Sequence, residues 1–160
     1  MSILARLGLG VVWLVSGALK VVDPAQTWVA VQAYEVLPLG LVGPVAGALP
    51  LMELMLGTLL LVGASTRWAA LASVALLAVF TLGVVQAWVR GLSIDCGCFG
   101  GGGVVAEGSA GYLPELARDA GLLVLAGWLL VRPRTVLSVD GWRGGGRTPN
   151  GAGQVAEPGR

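Results

Sequence analysis

Apolar residues in this chain fall in long blocks rather than in a narrow periodic stripe. The first block covers residues 3–22 and is broken only by Arg6 near its start and Lys20 near its end. A second covers residues 37–62, with Pro38, Pro44 and Pro50 crowded into its first half and one carboxylate, Glu53, behind them. Proline weakens regular helix, so the second span is expected over residues 44–63. The short turn GASTR, residues 63–67, then sends a third block over residues 67–89 back antiparallel beside the second. This block has no charge between Arg67 and Arg90, and its length suits a hydrocarbon layer of about 30 Å. The fourth block is the weakest. It is uninterrupted only over residues 120–131 and reaches spanning length, residues 113–131, by including Arg118 and Asp119, which are expected to pair with neighbours in the bundle.

The connections differ in character. In residues 24–34, PAQTWVAVQAY, Trp28, Val31 and Tyr34 recur at helical spacing with Gln26 and Gln32 elsewhere. This reads either as an interfacial helix lying along one membrane face or as an ordinary amphipathic loop. Residues 91–111 contain the string IDCGCFGGGG, which excludes regular helix there. Beyond Arg132-Pro133-Arg134 the chain is rich in Gly, Arg and Pro and is expected to be disordered. The pattern therefore predicts an all-α integral membrane protein: a four-transmembrane-helix bundle in residues 1–135, a disordered tail in residues 136–160, and no second folded domain. A cleaved signal peptide would end in a small-x-small site, whereas Lys20 and Asp23-Pro24 close the first block; it is expected to be retained.

Composition strengthens the membrane reading. Of 160 residues, 56% are hydrophobic and 12% charged, against roughly 45–50% and about 25% in ordinary soluble domains, and mean hydropathy is +0.82. A soluble fold could not hide that much apolar surface, whereas in lipid each helix satisfies its own backbone. The net charge of +1 gives no footprint for nucleic acid. Its distribution is informative. In a four-span chain Arg6, Arg67, Arg132, Arg134, Arg143, Arg147 and Arg160 share one side, against Lys20, Arg90 and Arg118 on the other. The richer side is cytoplasmic by the positive-inside rule. Both termini are then expected inside a plasma membrane, with the cysteine-bearing loop extracytoplasmic. Histidine is absent, which removes the commonest general base and metal ligand, and no metal site is expected.

The chain has two cysteines, Cys96 and Cys98, separated by one glycine. Closing so small a ring constrains little chain entropy, roughly 1.5 kcal/mol, so a structural staple is an unattractive account. A strained, exposed disulfide exchanges readily with other thiols, and Gly97 supplies the backbone freedom to close it. Arg90 would favour the thiolate and Asp95 oppose it. Asp95 is also a candidate proton acceptor in exchange, so Cys96, Cys98 and Asp95 form the candidate catalytic group, against the alternatives of inert thiols and a solvated loop acid. The glycines at 100–103 would let a partner's backbone approach. A second signal is Glu53, since a carboxylate in mid-membrane costs about 2.5 kcal/mol or more and usually faces the bundle interior with a partner. Lys20 is the natural partner. Lys20 and Glu53 are read either as a buried ion pair or as part of a quinone-binding site, against the alternative of a snorkelling Lys20 and a neutral Glu53. Small residues four apart, Gly43 with Gly47 and Ala69 with Ser73, would permit close helix packing.

The strings SGALKVVDP at residues 16–24, LPLMELMLG at 49–57 and DCGCFG at 95–100, set in four spans, resemble the MauE-type methylamine-utilisation membrane proteins within the broader DoxX-like group. The resemblance covers about residues 3–131 and leaves the tail outside. It implies a role in the maturation of disulfide-containing exported proteins beside a thioredoxin-like partner such as MauD, and it points to Cys96 and Cys98, with Lys20 and Glu53 as shared bundle residues. Methylamine itself is not implied. The leading expectation is a thiol–disulfide redox membrane protein with a thioredoxin-like partner and an exported client, coupled in one version to a quinone. The rival is a non-enzymatic scaffold or assembly subunit that docks a partner; a small-molecule carrier stands third.

Overall fold

The computed structural model describes residues 2–97, 102–106 and 111–131. Five helices and one two-stranded ladder appear there in the order α1 Ser2–Val22, α2 Pro24–Ala33, α3 Leu39–Val62, α4 Thr66–Val89, β1 Ile94–Asp95, β2 Gly103–Val104 and α5 Tyr112–Val131. The expected tail of residues 136–160 and Cys98 lie outside the described residues.

Local chemistry sets the helix boundaries. Asp23 caps α2 by accepting from the Gln26 backbone N–H at 2.9 Å, and Pro24 follows at the first helical position, where its missing N–H is harmless. Gly63, at φ 71°, closes α3, and the N–H groups of Gly63 and Ala64 both return to the Leu59 carbonyl. The second span does not wait for residue 44. It starts at Leu39, directly after Pro38, and continues helically through both Pro44 and Pro50. Each interior proline deletes one backbone hydrogen bond, but packing against neighbouring helices holds the turn, as membrane helices allow.

Among the described residues, α1 over Ile3–Val22, α3 and α4 are long and apolar enough to cross a membrane. At 24 residues each, α3 and α4 reach about 36 Å at 1.5 Å per residue. The helix α5 is nearly as long, but Glu115, Arg118 and Asp119 occupy its first half. Leu4, Leu51, Leu82 and Val124 point outward from the four long helices, as side chains facing lipid do. The core is built from Leu9 and Trp13 of α1, Leu56 and Leu60 of α3, Ala69, Ala70 and Leu77 of α4, and Ala126 and Leu129 of α5.

Packing divides the bundle into two pairs. The α1 helix lies mainly on α3 and α4 mainly on α5, with α1 also touching α5, while α3 and α4 meet much more sparsely. The short turn makes α3 and α4 sequential without making them close partners. Glycines explain the first pair. A Cβ at Gly57 would lie 2.9 Å from the Gly10 carbonyl oxygen and 2.7 Å from Leu14 Cγ, and one at Gly17 would lie 3.0 Å from the Pro50 carbonyl oxygen. Only a missing side chain permits that backbone approach. Gly43 and Gly47, read from spacing as packing positions, have nothing within 4 Å of a would-be Cβ and do not serve there. Ala69 and Ser73 are both buried.

Candidate functional site

Lys20 and Glu53 face one another across the α1/α3 seam. The ammonium donates to Glu53 Oε1 at 2.8 Å, to Glu53 Oε2 at 3.0 Å and to Ser16 Oγ at 2.7 Å, while the Ser16 hydroxyl donates to Glu53 Oε2 at 3.1 Å. All three ammonium protons are thus engaged. The pair is 6% and 0% exposed, and the Phe80 ring sits 5.8 Å from Lys20 Nζ. Trp13 extends this polar seam, packing on Phe80 and donating its indole N–H to Ser73 Oγ at 2.9 Å. The arrangement is that of a satisfied buried ion pair rather than a snorkelling lysine.

The cysteine-bearing loop rests above this seam. Its ladder pairs Ile94 with Val104 and Asp95 with Gly103. The Tyr112 hydroxyl ties it to α5, accepting from the Ile94 N–H and donating to the Leu92 carbonyl. On the other flank α2 supports it: Gln26 donates to the Gly102 carbonyl, and a Cβ at Gly102 would meet Ala30 Cβ at 2.7 Å and Gly97 Cα at 2.8 Å. Gly97 and Gly102, at φ +69° and +100°, adopt left-handed backbone that other residues resist. Gly102 and Gly103 are therefore spent on packing against α2 rather than left open for a partner's backbone.

Cys96 is buried and disulfide-bonded. Its backbone N–H donates to Glu115 Oε1 at 3.3 Å, its carbonyl accepts from the Tyr34 hydroxyl at 3.3 Å, and the Arg118 guanidinium stands 3.9 Å from its Sγ. Arg118 also binds Asp119 at 3.1 Å. Arg90, expected beside the thiols, instead pairs with Glu35 at 2.8 Å on the exposed rim. Asp95 lies next to Cys96 in β1 with its carboxyl against that of Glu115. Burial, followed by the nearby carboxyls of Glu115, Asp119 and Asp95, pushes the Tyr34 hydroxyl well above the ordinary phenol range, so it remains a proton donor.

Sequence reasoning missed Glu115, Arg118 and Tyr34 as neighbours of Cys96. A signal was present for two of them: Glu115, Arg118 and Asp119 fall at i, i+3 and i+4, one face of a helix, in a block that is otherwise apolar. The two candidate groups are also not separate. One cavity of about 360 Å³ touches both, lined by Lys20, Tyr34, Leu49 and Phe80 as well as by Cys96 and Gly97.

No curated protein and no solved structure matches the chain. The family model described as methylamine utilisation protein MauE matches residues 1–132. That match takes in the three helices that are, among the described residues, long and apolar enough to cross a membrane, together with the Lys20–Glu53 pair and Cys96, and with it the chain is established as a member of the MauE family.

Proposed function

We propose that this protein is a membrane thiol–disulfide oxidoreductase whose Cys96 and Cys98 exchange electrons with a thioredoxin-like partner during maturation of exported proteins. In this reading α5 is the fourth span, both termini are cytoplasmic, and the cysteine loop faces the extracytoplasmic side of the plasma membrane, where disulfides persist. The observation that carries it is the position of Arg118 beside the sulfur of a disulfide-bonded Cys96. Attack by a partner thiolate on this disulfide forms a mixed disulfide and releases the other sulfur as a thiolate, which a guanidinium at that distance stabilises. The adjoining carboxyls of Asp95 and Glu115 supply an acid–base group for the accompanying proton. The ion pair with Asp119 holds that guanidinium in place beside the sulfur.

The Lys20–Glu53 pair plays a different part here. It fixes α1 against α3 beneath the loop, each charge of the pair being answered by the other. Single serine replacements at Cys96 and Cys98 test the reading in native membranes. One of them should accumulate a covalent adduct with a thioredoxin-like protein, released by reductant. Absence of any adduct from either, with client disulfides still formed by the double-serine protein, would transfer the role to a scaffold.

A further inference from the structure

We infer that the cavity between α2, α3, α4 and the cysteine loop binds a lipid-soluble quinone, which takes the electrons from the reduced Cys96/Cys98 pair; the inference rests on the thiol–disulfide reading above. The sparse contact between α3 and α4 leaves this space, and its volume of about 360 Å³ falls at the lower end of the roughly 300–1,000 Å³ of small-ligand sites. Its lining includes Met52 of α3 and Val79 of α4, which are 45% and 62% exposed on the outer faces of these long apolar helices, and Val36 of the α2–α3 connection, which is 60% exposed. A ligand therefore enters sideways from the bilayer, which selects an apolar molecule over a water-soluble one. The buried Cys96 and Gly97 also line it, so a ring seated in the cavity is within reach of the redox group.

The polar fittings suit a quinone rather than an acyl chain. Lys20 lines the cavity, but its ammonium is held by Glu53 and Ser16, so the space contains no free charge. The Tyr34 hydroxyl reaches the Cys96 carbonyl at 3.3 Å, a long bond that a quinone carbonyl can take over. Gly83 makes room for that phenol: a Cβ there would lie 3.2 Å from the Tyr34 ring. The step balances without a further reactant. Two S–H bonds break and one S–S bond forms. The two electrons and two protons released convert both quinone carbonyls to hydroxyls, giving the quinol. Electrons then run from the thioredoxin-like partner through the cysteine pair into the membrane, and the protein acts as an oxidant of its partner.

Binding is separable from exchange. Full-length Cys96→Ser protein in lipid nanodiscs, labelled with an azido-substituted, decyl-chain benzoquinone, should give saturable cross-links on α3 or α4 near Met52 and Val79. Excess unlabelled decyl-benzoquinone should compete and phospholipid should not. Ala48→Trp, which fills the cavity from α3, should cut labelling at least tenfold, whereas Leu51→Trp, on the lipid side of the same helix, should not change it. Dithiol-reduced wild-type protein, freed of reductant, should bleach one equivalent of quinone per protein. Labelling that is non-saturable, is displaced by phospholipid, or is equal in Ala48→Trp would overturn the quinone site whatever the cysteines do. Saturable labelling with no bleaching by reduced protein would overturn the electron transfer, and loss of partner exchange with binding intact would count against the thiol reading alone.

Discussion

The two polar centres of this bundle are built to opposite specifications. At the Lys20–Glu53 seam every ammonium proton has an acceptor and both side chains are inaccessible. At Cys96 itself the three contacts run from 3.3 to 3.9 Å, and nearby the buried Asp119 Oδ2 has no hydrogen-bond partner among the described residues. A fully satisfied buried pair specifies one arrangement and resists change, whereas an incompletely satisfied cluster around a disulfide can re-pair at low cost when the sulfur becomes a thiolate. On the proposed reading, the contrast separates the part of the molecule that holds the fold from the part that reacts.

Substitutions can break that contrast. The largest effect is expected at the reactive centre, where Cys96→Ser should abolish exchange with a reduced thioredoxin-like protein while the bundle still inserts, as judged by detergent extraction and elution volume. Next comes the seam. Glu53→Leu leaves Lys20 buried without its carboxylate and should cost about 3–5 kcal/mol, read as lost protein in membranes and a lower unfolding midpoint. Lys20→Met combined with Glu53→Leu should recover most of that loss, because apolar residues can replace a buried pair. Gly57→Ala drives a methyl against the Gly10 carbonyl and Leu14 and should cost about 1–3 kcal/mol in the same assay. The smallest effect is at Arg118. Removing one charge-assisted contact from the leaving sulfur should slow exchange about tenfold in Arg118→Gln and move its pH–rate profile upward, with Arg118→Lys recovering part of the rate. Because Arg118 also holds the buried Asp119, Arg118→Gln should lose some stability as well, and Arg118→Lys should recover part of it.

Much of the bundle was legible because lipid-facing helices must be apolar throughout: the blocks at residues 3–22 and 67–89 match α1 and α4 closely. The proline-rich start of α3 was not, since tertiary packing overrides the local penalty at Pro44 and Pro50. The Lys20–Glu53 pairing could be read because few charges occur in the spans, leaving few partners to choose from. The surroundings of Cys96 could not be read in the same way. Arg118 is 22 positions away from Cys96 and Tyr34 is 62, and Arg90, nearer in sequence, is drawn off by Glu35. Which cation reaches the sulfur depends on how α5 docks against α4, and hydrophobic blocks specify that they pack without fixing their rotation. The roles of Gly102 and Gly103 were hidden for the same reason, because they answer to Ala30 and Val29 of α2 rather than to anything local.

The central claim is that the cysteine pair opens and closes reversibly at the outer face of the membrane. Sealed right-side-out membrane vesicles, treated with an impermeant reductant and then an impermeant thiol reagent, test it most directly. The account predicts modification of both cysteines from outside, none before reduction, and protection restored when reductant is removed and a lipid-soluble oxidant is supplied. Modification only after the vesicles are opened, or thiols that stay reactive under every oxidising condition, would contradict it.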